Sequence, residues 1–164
     1  MSYLTENDIM EMKDNVRLLS IKEIDDISHY SFDSHIEEYN NFLEIAEKFY
    51  DLNISKTFLL THRETNELLA HMTLSADSIK LTNEEKEIHD IGKVPYASIP
   101  ALKVGKLAVN KELSKKAARK GYGSFLLEMA RAYAFDMNEL GVAYRFITVD
   151  ADIEYDTDTP QFYL

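Results

Sequence analysis

Apolar residues along this chain recur with two periods, and the switches between them mark out the elements. Val16 to Ile21 (VRLLSI) reads as a short strand and Ile24 to Phe32 as a short helix. From Ser34 to Leu52 the positions Ile36, Tyr39, Phe42, Leu43, Ala46 and Phe49 return at helical spacing. Ser34 stands where an N-cap belongs, and Glu37 completes a capping-box pattern. Thr57 to His62 and Glu67 to Ser75 flank a polar RETN segment, which predicts an antiparallel hairpin with a loop of about four residues. Residues 76 to 98 carry the charged run NEEKEIHD and read as a short helix and loop on the surface. Ile99 to Val109 is the next clear strand, and Gly105 inside it predicts a bulge or a close backbone approach.

A basic loop then leads into a strong helix from about Gly123 to Leu140. Leu126, Met129, Ala130, Tyr133, Met137 and Leu140 share one face of it, and Gly141 is a natural C′ residue. Tyr144 to Val149 (YRFITV) is an almost continuous apolar strand. Two strands joined by a helix form a βαβ crossover with parallel strands, whereas the upstream hairpin is antiparallel. The expected fold is therefore one mixed α/β sheet, spanning residues 1–164 as a single domain. Past an acidic loop, Thr159-Pro160 resembles the start of another helix opening QFYL.

Charge and composition narrow the function classes. The net charge is −11, so phosphate backbones and acidic membranes are repelled unless basic residues are concentrated locally. There are no cysteines, which removes disulfides, thiol nucleophiles and cysteine-ligated metals. No stretch approaches the roughly 20 apolar residues of a membrane span. The acidic, mixed N-terminus is not a secretory signal, so the cytoplasm is the default expectation. No HExxH or similar ligand spacing occurs among the histidines, and the acidic run from Asp150 to Asp158 lacks the glycine and terminal glutamate of an EF-hand. No metal is expected.

Five basic residues fall within ten positions of an otherwise acidic chain. Lys111, Lys115, Lys116, Arg119 and Lys120 precede Gly121 and Gly123 at the start of the long helix. Glycine leaves backbone N–H groups accessible, and a helix N-terminus adds partial positive charge, so the pair makes an anion site suited to a pyrophosphate. Gly-Tyr-Gly-Ser-Phe-Leu lacks the third glycine of the dinucleotide fingerprint, and no Walker A loop is present.

The order of strand end Leu107-Ala108-Val109, basic loop, Gly-x-Gly, helix and strand resembles the GNAT superfamily of N-acetyltransferases. That family's Gln/Arg-x-x-Gly-x-Gly/Ala motif is represented by Ala118-Arg119-Lys120-Gly121-Tyr122-Gly123, with Ala118 departing at the first position. The Phe32-Asp33-Ser34 stretch, the Leu107-Ala108-Val109 strand end and the Phe162-Tyr163 pair look most like the TacT-like branch, many of whose members are toxins that acetylate aminoacyl-tRNA. The resemblance implies acetyl-CoA as acyl donor, with Leu107, Ala108 and Val109 on the pantetheine arm and Arg119, Lys120, Gly121, Tyr122, Gly123 and Ser124 on the pyrophosphate. It implies direct attack by an amine, and Tyr163 as general acid for the departing sulfur. No base is implied; His71 and Glu112 are candidates by location.

The family normally continues past the Phe-Tyr pair with two more strands. Ending at Leu164 leaves the strand at 144–149 with a bare edge, and such an edge invites pairing. The expectations are a truncated form lacking the C-terminal strands, or a partner chain such as a second copy. A small-molecule or protein amine is the first acceptor class. The alternatives are an aminoacyl-tRNA-acetylating toxin with an antitoxin, the only reading with a nucleic-acid partner, and a non-catalytic acyl-CoA or protein-binding module.

Overall fold

The computed structural model describes residues 4–150. Five strands form one sheet in the order β1-β2-β3-β4-β5: β1 (Val16–Ser20), β2 (Lys56–His62), β3 (Leu68–Lys80), β4 (Ser98–Val109) and β5 (Phe146–Val149). The first four pair antiparallel, and β4 and β5 pair parallel. The mixed sheet expected from the sequence is therefore the one observed.

Alternation along β2 divides the interior into two clusters. Leu60 joins Met12, Leu69, Met72, Leu102, Phe125 and Leu126, under helices α1 (Glu6–Asn15) and α4 (Tyr122–Glu139). Its neighbour Leu59 joins Ile21, Leu68 and the α2 (Glu37–Asp51) residues Phe42, Leu43 and Ala46. Successive strand residues point to opposite faces, so a sheet with helices on both sides needs central strands that are buried throughout. β2 from Leu59 onward and the first half of β3 meet that demand.

Several elements differ from the sequence expectation. Helix α1 was not anticipated. It is set by a capping box in which the Thr5 hydroxyl accepts from Asp8 N–H and the Asp8 carboxylate accepts from Thr5 N–H. Residues 24–32 form no α-helix; a 3₁₀ turn at Ile21–Glu23 precedes them and a second, Ile27–His29, lies within them. The expected Ser34 capping box is absent. The N-cap of α2 is Ile36, without a side-chain cap, while the Ser34 hydroxyl bonds Asn40 Oδ1 at 2.8 Å. β3 runs on to Lys80, held by its ladder to β4 rather than by burial, because side chains from Ser75 onward are half-buried or exposed. The short helix in the following segment is present as α3 (Asn83–Ile88).

Two glycine expectations meet the structure directly. Between Met72↔Leu107 and Leu74↔Val104, β4 carries one residue more than β3, a bulge at Gly105-Lys106. Lys106 N–H there donates to Thr73 Oγ1 at 2.9 Å, and a Cβ on Gly105 would lie 3.0 Å from that oxygen. Gly141 has φ +98, and Gly141 N–H and Val142 N–H donate to the carbonyls of Asn138 and Met137, a Schellman ending for α4. The apolar face of α4 is shorter than expected: Met137 and Leu140 are exposed, and Phe125, Leu127 and Ala134 are buried instead.

Candidate functional site

β4 and β5 pair only from Ala101↔Phe146 to Val104↔Val149. Past Gly105 the far edge of β4 has no strand partner among the described residues. Asn110 N–H donates to Leu69 O of the β3 side at 2.8 Å, and Ala108 stands opposite His71. Backbone groups alternate along a strand, so Leu107 and Val109 turn their N–H and C=O toward the open edge. The bulge lies directly before this stretch.

The chain then enters the loop 110–121, which is held by side chains the sequence reading did not single out. Asn110 is buried, and its amide makes four hydrogen bonds. Nδ2 donates to Leu68 O at 2.8 Å and Ser31 O at 3.1 Å, and Oδ1 accepts from Glu112 N–H at 3.0 Å and Asp33 N–H at 3.2 Å. Lys111 N–H donates to Asp33 O at 2.8 Å. Glu67 accepts from the N–H and hydroxyl of Ser114, both at 2.7 Å, and these bonds, with one from Thr65, keep its carboxyl below the usual range. The Phe32-Asp33-Ser34 stretch therefore braces the end of β4. Asp33 accepts from His35 N–H and Asn40 Nδ2, both of which depress its pKa, and Phe32 packs on His71 with ring centroids 5.0 Å apart.

At the end of the loop Gly121 is the N-cap of α4 with φ +101, and no side chain caps the helix. The N–H groups of Gly123 and Ser124 have no acceptor among the described residues. Tyr122 faces inward, its hydroxyl donating to Ala117 O at 2.6 Å, and burial pushes its pKa up. Only its backbone is available to a ligand. Of the basic side chains, Lys116 pairs with Glu64, and Arg119 pairs with Glu11 at 3.3 Å and Asp8 at 3.8 Å. Lys111, Lys115 and Lys120 are exposed and have no ion-pair partner among the described residues. Leu107, Ala108 and Val109 thus end β4 on an edge that has no strand partner among the described residues, and Arg119 to Ser124 form the uncapped start of α4. Uncapped N–H groups, a positive helix end and free lysines fit a diphosphate.

The two base candidates fare differently. His71 is fully buried between Phe32 and Phe42, and burial draws its pKa down to about 4, against an opposing pull from the Tyr39 backbone. A sealed imidazole cannot take a proton from an incoming amine. Glu112 is exposed and bonded to His35 Nε2 at 3.2 Å, just past the end of β4. Tyr163 lies outside the described residues. Among the described residues no cluster could hold a metal ion, and no helix is long and apolar enough to cross a membrane.

No family model matches the chain, and no curated protein matches it. Solved structures do. A tyrosine-to-phenylalanine mutant of KacT is 22% identical with TM-score 0.67, covering 91% of this chain and 84% of that one. AtaT complexed with acetyl-methionyl-tRNAfMet is 18% identical with TM-score 0.68, covering 91% and 84%. A tyrosine-to-phenylalanine mutant of the AtaT toxin, bound to the C-terminus of the antitoxin AtaR and acetyl-CoA, is 19% identical with TM-score 0.64, covering 92% and 81%. The chain has the fold of these proteins, the GNAT-like arrangement expected from its glycine loop.

Proposed function

We propose that this protein transfers an acetyl group from acetyl-CoA to a primary amine by direct attack. The observation that carries the reading is the end of β4 at Leu107–Val109, without a strand partner among the described residues, followed by a basic loop and the uncapped N-terminus of α4. A likeness in fold to an acetyl-CoA-bound toxin supports the same donor.

Each part has a task. Leu107 and Val109 offer backbone donors and acceptors spaced for the amides of a pantetheine arm, and one N–H there polarises a carbonyl at the bulge end as negative charge develops on it. Arg119 to Ser124 hold the diphosphate through backbone N–H groups and the helix end, with Lys111, Lys115 and Lys120 adding unpaired charge. Bound acetyl-CoA supplies an activated acetyl thioester. The sequence has no cysteine to carry the acetyl group, which supports direct transfer to the acceptor. Tyr163 is assigned the proton for the departing sulfur, since a phenol of pKa about 10 can protonate a thiolate. Tyr163→Phe should then lower kcat at least about tenfold with little change in donor affinity.

Two acceptor classes follow from separate observations. The AtaT complex with acetyl-methionyl-tRNAfMet favours the α-amino group of an aminoacyl-tRNA, and the AtaR complex favours an antitoxin partner for that role. The net charge of −11 favours a cationic small-molecule or protein amine. Acetyl transfer from radiolabelled acetyl-CoA to charged tRNA, a lysine peptide and a polyamine separates them. Donor binding with no transfer to any amine would replace both readings with the non-catalytic one.

A further inference from the structure

Resting on the reading that a thioester carbonyl meets the first N–H beyond the bulge, we propose that Thr73 is a positioning residue that aims Leu107 N–H at that carbonyl. Thr73 sits on β3 between Met72, which faces Leu107, and Leu74, which faces Val104, so it stands opposite the two bulge residues Gly105 and Lys106. Thr73 is 4% exposed, and its Oγ1 accepts from Lys106 N–H at 2.9 Å. Leu107 N–H belongs to the next peptide plane, and its direction follows from how Lys106 is held.

Three observations tie the bulge to this hydroxyl. Gly105 does not have a left-handed φ, so its backbone conformation does not call for glycine. Apart from its chain neighbours, the one atom that a Cβ there would meet within 4 Å among the described residues is Thr73 Oγ1, at 3.0 Å. Glycine at 105 therefore makes room for the threonine oxygen. Next, Thr57, the register partner of Thr73 on β2, is fully buried, and its hydroxyl has no hydrogen-bond partner among the described residues. The two threonines do not satisfy each other, and the Thr73 oxygen is left to Lys106. Finally, the far end of Lys106 is held as well. Its Nζ pairs with Glu38 and lies 4.9 and 5.6 Å from the ring centroids of Tyr39 and Phe42. Fixed at its N–H and at its ammonium, Lys106 leaves little freedom to the peptide plane that carries Leu107 N–H. A donor fixed before charge develops needs no reorganisation when it does.

The test is infrared spectroscopy of bound acetyl-CoA carrying 13C at the thioester carbonyl, with affinity measured by calorimetry. A carbonyl polarised by a hydrogen bond absorbs at lower frequency than the free thioester, and the native chain should show that downshift. Thr73→Val removes the acceptor at nearly the same shape, and it should lose at least about half of the shift while binding the donor within about twofold of native. Thr73→Ser keeps the oxygen and should keep the shift. Gly105→Ala presses on the same oxygen from β4, so it should reduce the shift with Thr73 in place, and it supplies the reading if the valine variant does not fold. A native-sized shift in Thr73→Val or Gly105→Ala would overturn the assignment. So would a shift that falls only in step with donor affinity, or one that serine does not keep. Binding of acetyl-CoA by the native chain without any shift would overturn the aim of Leu107 N–H and leave the donor site standing. No binding by a folded native chain would overturn the donor reading itself, and with it the role of Thr73.

Discussion

Replacing Asn110 with alanine should unfasten the loop that carries the donor site. The Asn110 side chain is 4% exposed and makes four hydrogen bonds, to Leu68 O, Ser31 O, Asp33 N–H and Glu112 N–H. A buried group that loses its partner costs about 1–3 kcal/mol, and a replaceable bond near solvent about 0.5–1.5. Leu68 is fully buried, so its carbonyl is charged at the higher rate, while the other three groups lie in partly exposed segments where water can take over. Taken at the middle of each range, the sum is about 5 kcal/mol. For a domain of this size, 1 kcal/mol shifts Tm by roughly 2–4 °C, so the drop should be about 10–20 °C. Thermal denaturation followed by circular dichroism measures it directly. Asn110→Asp should fare no better, because a carboxylate keeps the two acceptor roles but faces two carbonyls it cannot donate to. A Tm within about 2 °C of the native value for Asn110→Ala would refute the claim that this amide pins the end of β4.

Other substitutions probe separate parts of the account. Gly141→Ala should cost about 1–2 kcal/mol in chemical denaturation, from φ +98 alone, because an added Cβ meets nothing within 4 Å. Gly121→Ala carries the same strain at φ +101 and adds contacts of 2.9 Å to Met12 Cε and 3.0 Å to Leu4 Cδ2, so it should cost about 1 kcal/mol more. Equal losses would show that α1 does not press on the loop. His71, with its pKa depressed from 6.5 to about 4, is neutral in the folded chain, whereas the unfolded chain protonates it below about pH 6.5. Its contribution is therefore complete above pH 6.5 and is lost as pH falls toward 4, amounting to about 3 kcal/mol at most. Urea denaturation across this range should show a shallower pH dependence for His71→Leu than for the native chain. His71→Gln should retain kcat within a few-fold, and a loss of about a hundredfold would restore it as the base.

Periodic burial made most of the fold legible. The hairpin, the long strand with its bulge at Gly105, the Schellman end at Gly141 and the crossover helix all carry strong local signals, and all are present. The extension of β3 through Ala76–Lys80 was not legible, because a strand held by its ladder with solvent around its side chains leaves no apolar alternation. Helix α1 was missed for a related reason: its apolar face is thin, only Met12 is buried, and the one signal was Thr5 with Asp8 at capping-box spacing. Ser34 failed as a cap because Asn40 captures its hydroxyl, a contact fixed by the turn at Asp33 rather than by spacing. In the site, the glycine loop and its lysines could be read from composition alone. The partners that hold it, Asn110 with Asp33 and Glu67 with Ser114, lie far apart in sequence and become visible only once the sheet brings them together.

The central claim is that the N-terminus of α4 binds the diphosphate of acetyl-CoA, and Ser124→Glu tests it most directly. The third position of a helix favours a carboxylate by about 0.3–1 kcal/mol, so the variant should fold at least as well as the native chain. It also puts a negative charge where the diphosphate would lie. Calorimetric titration with acetyl-CoA should give micromolar, one-to-one binding by the native chain and a loss of at least about tenfold in the variant, with an unchanged melt. Equal affinities in the two chains, or no binding by a native chain that melts normally, would contradict the account.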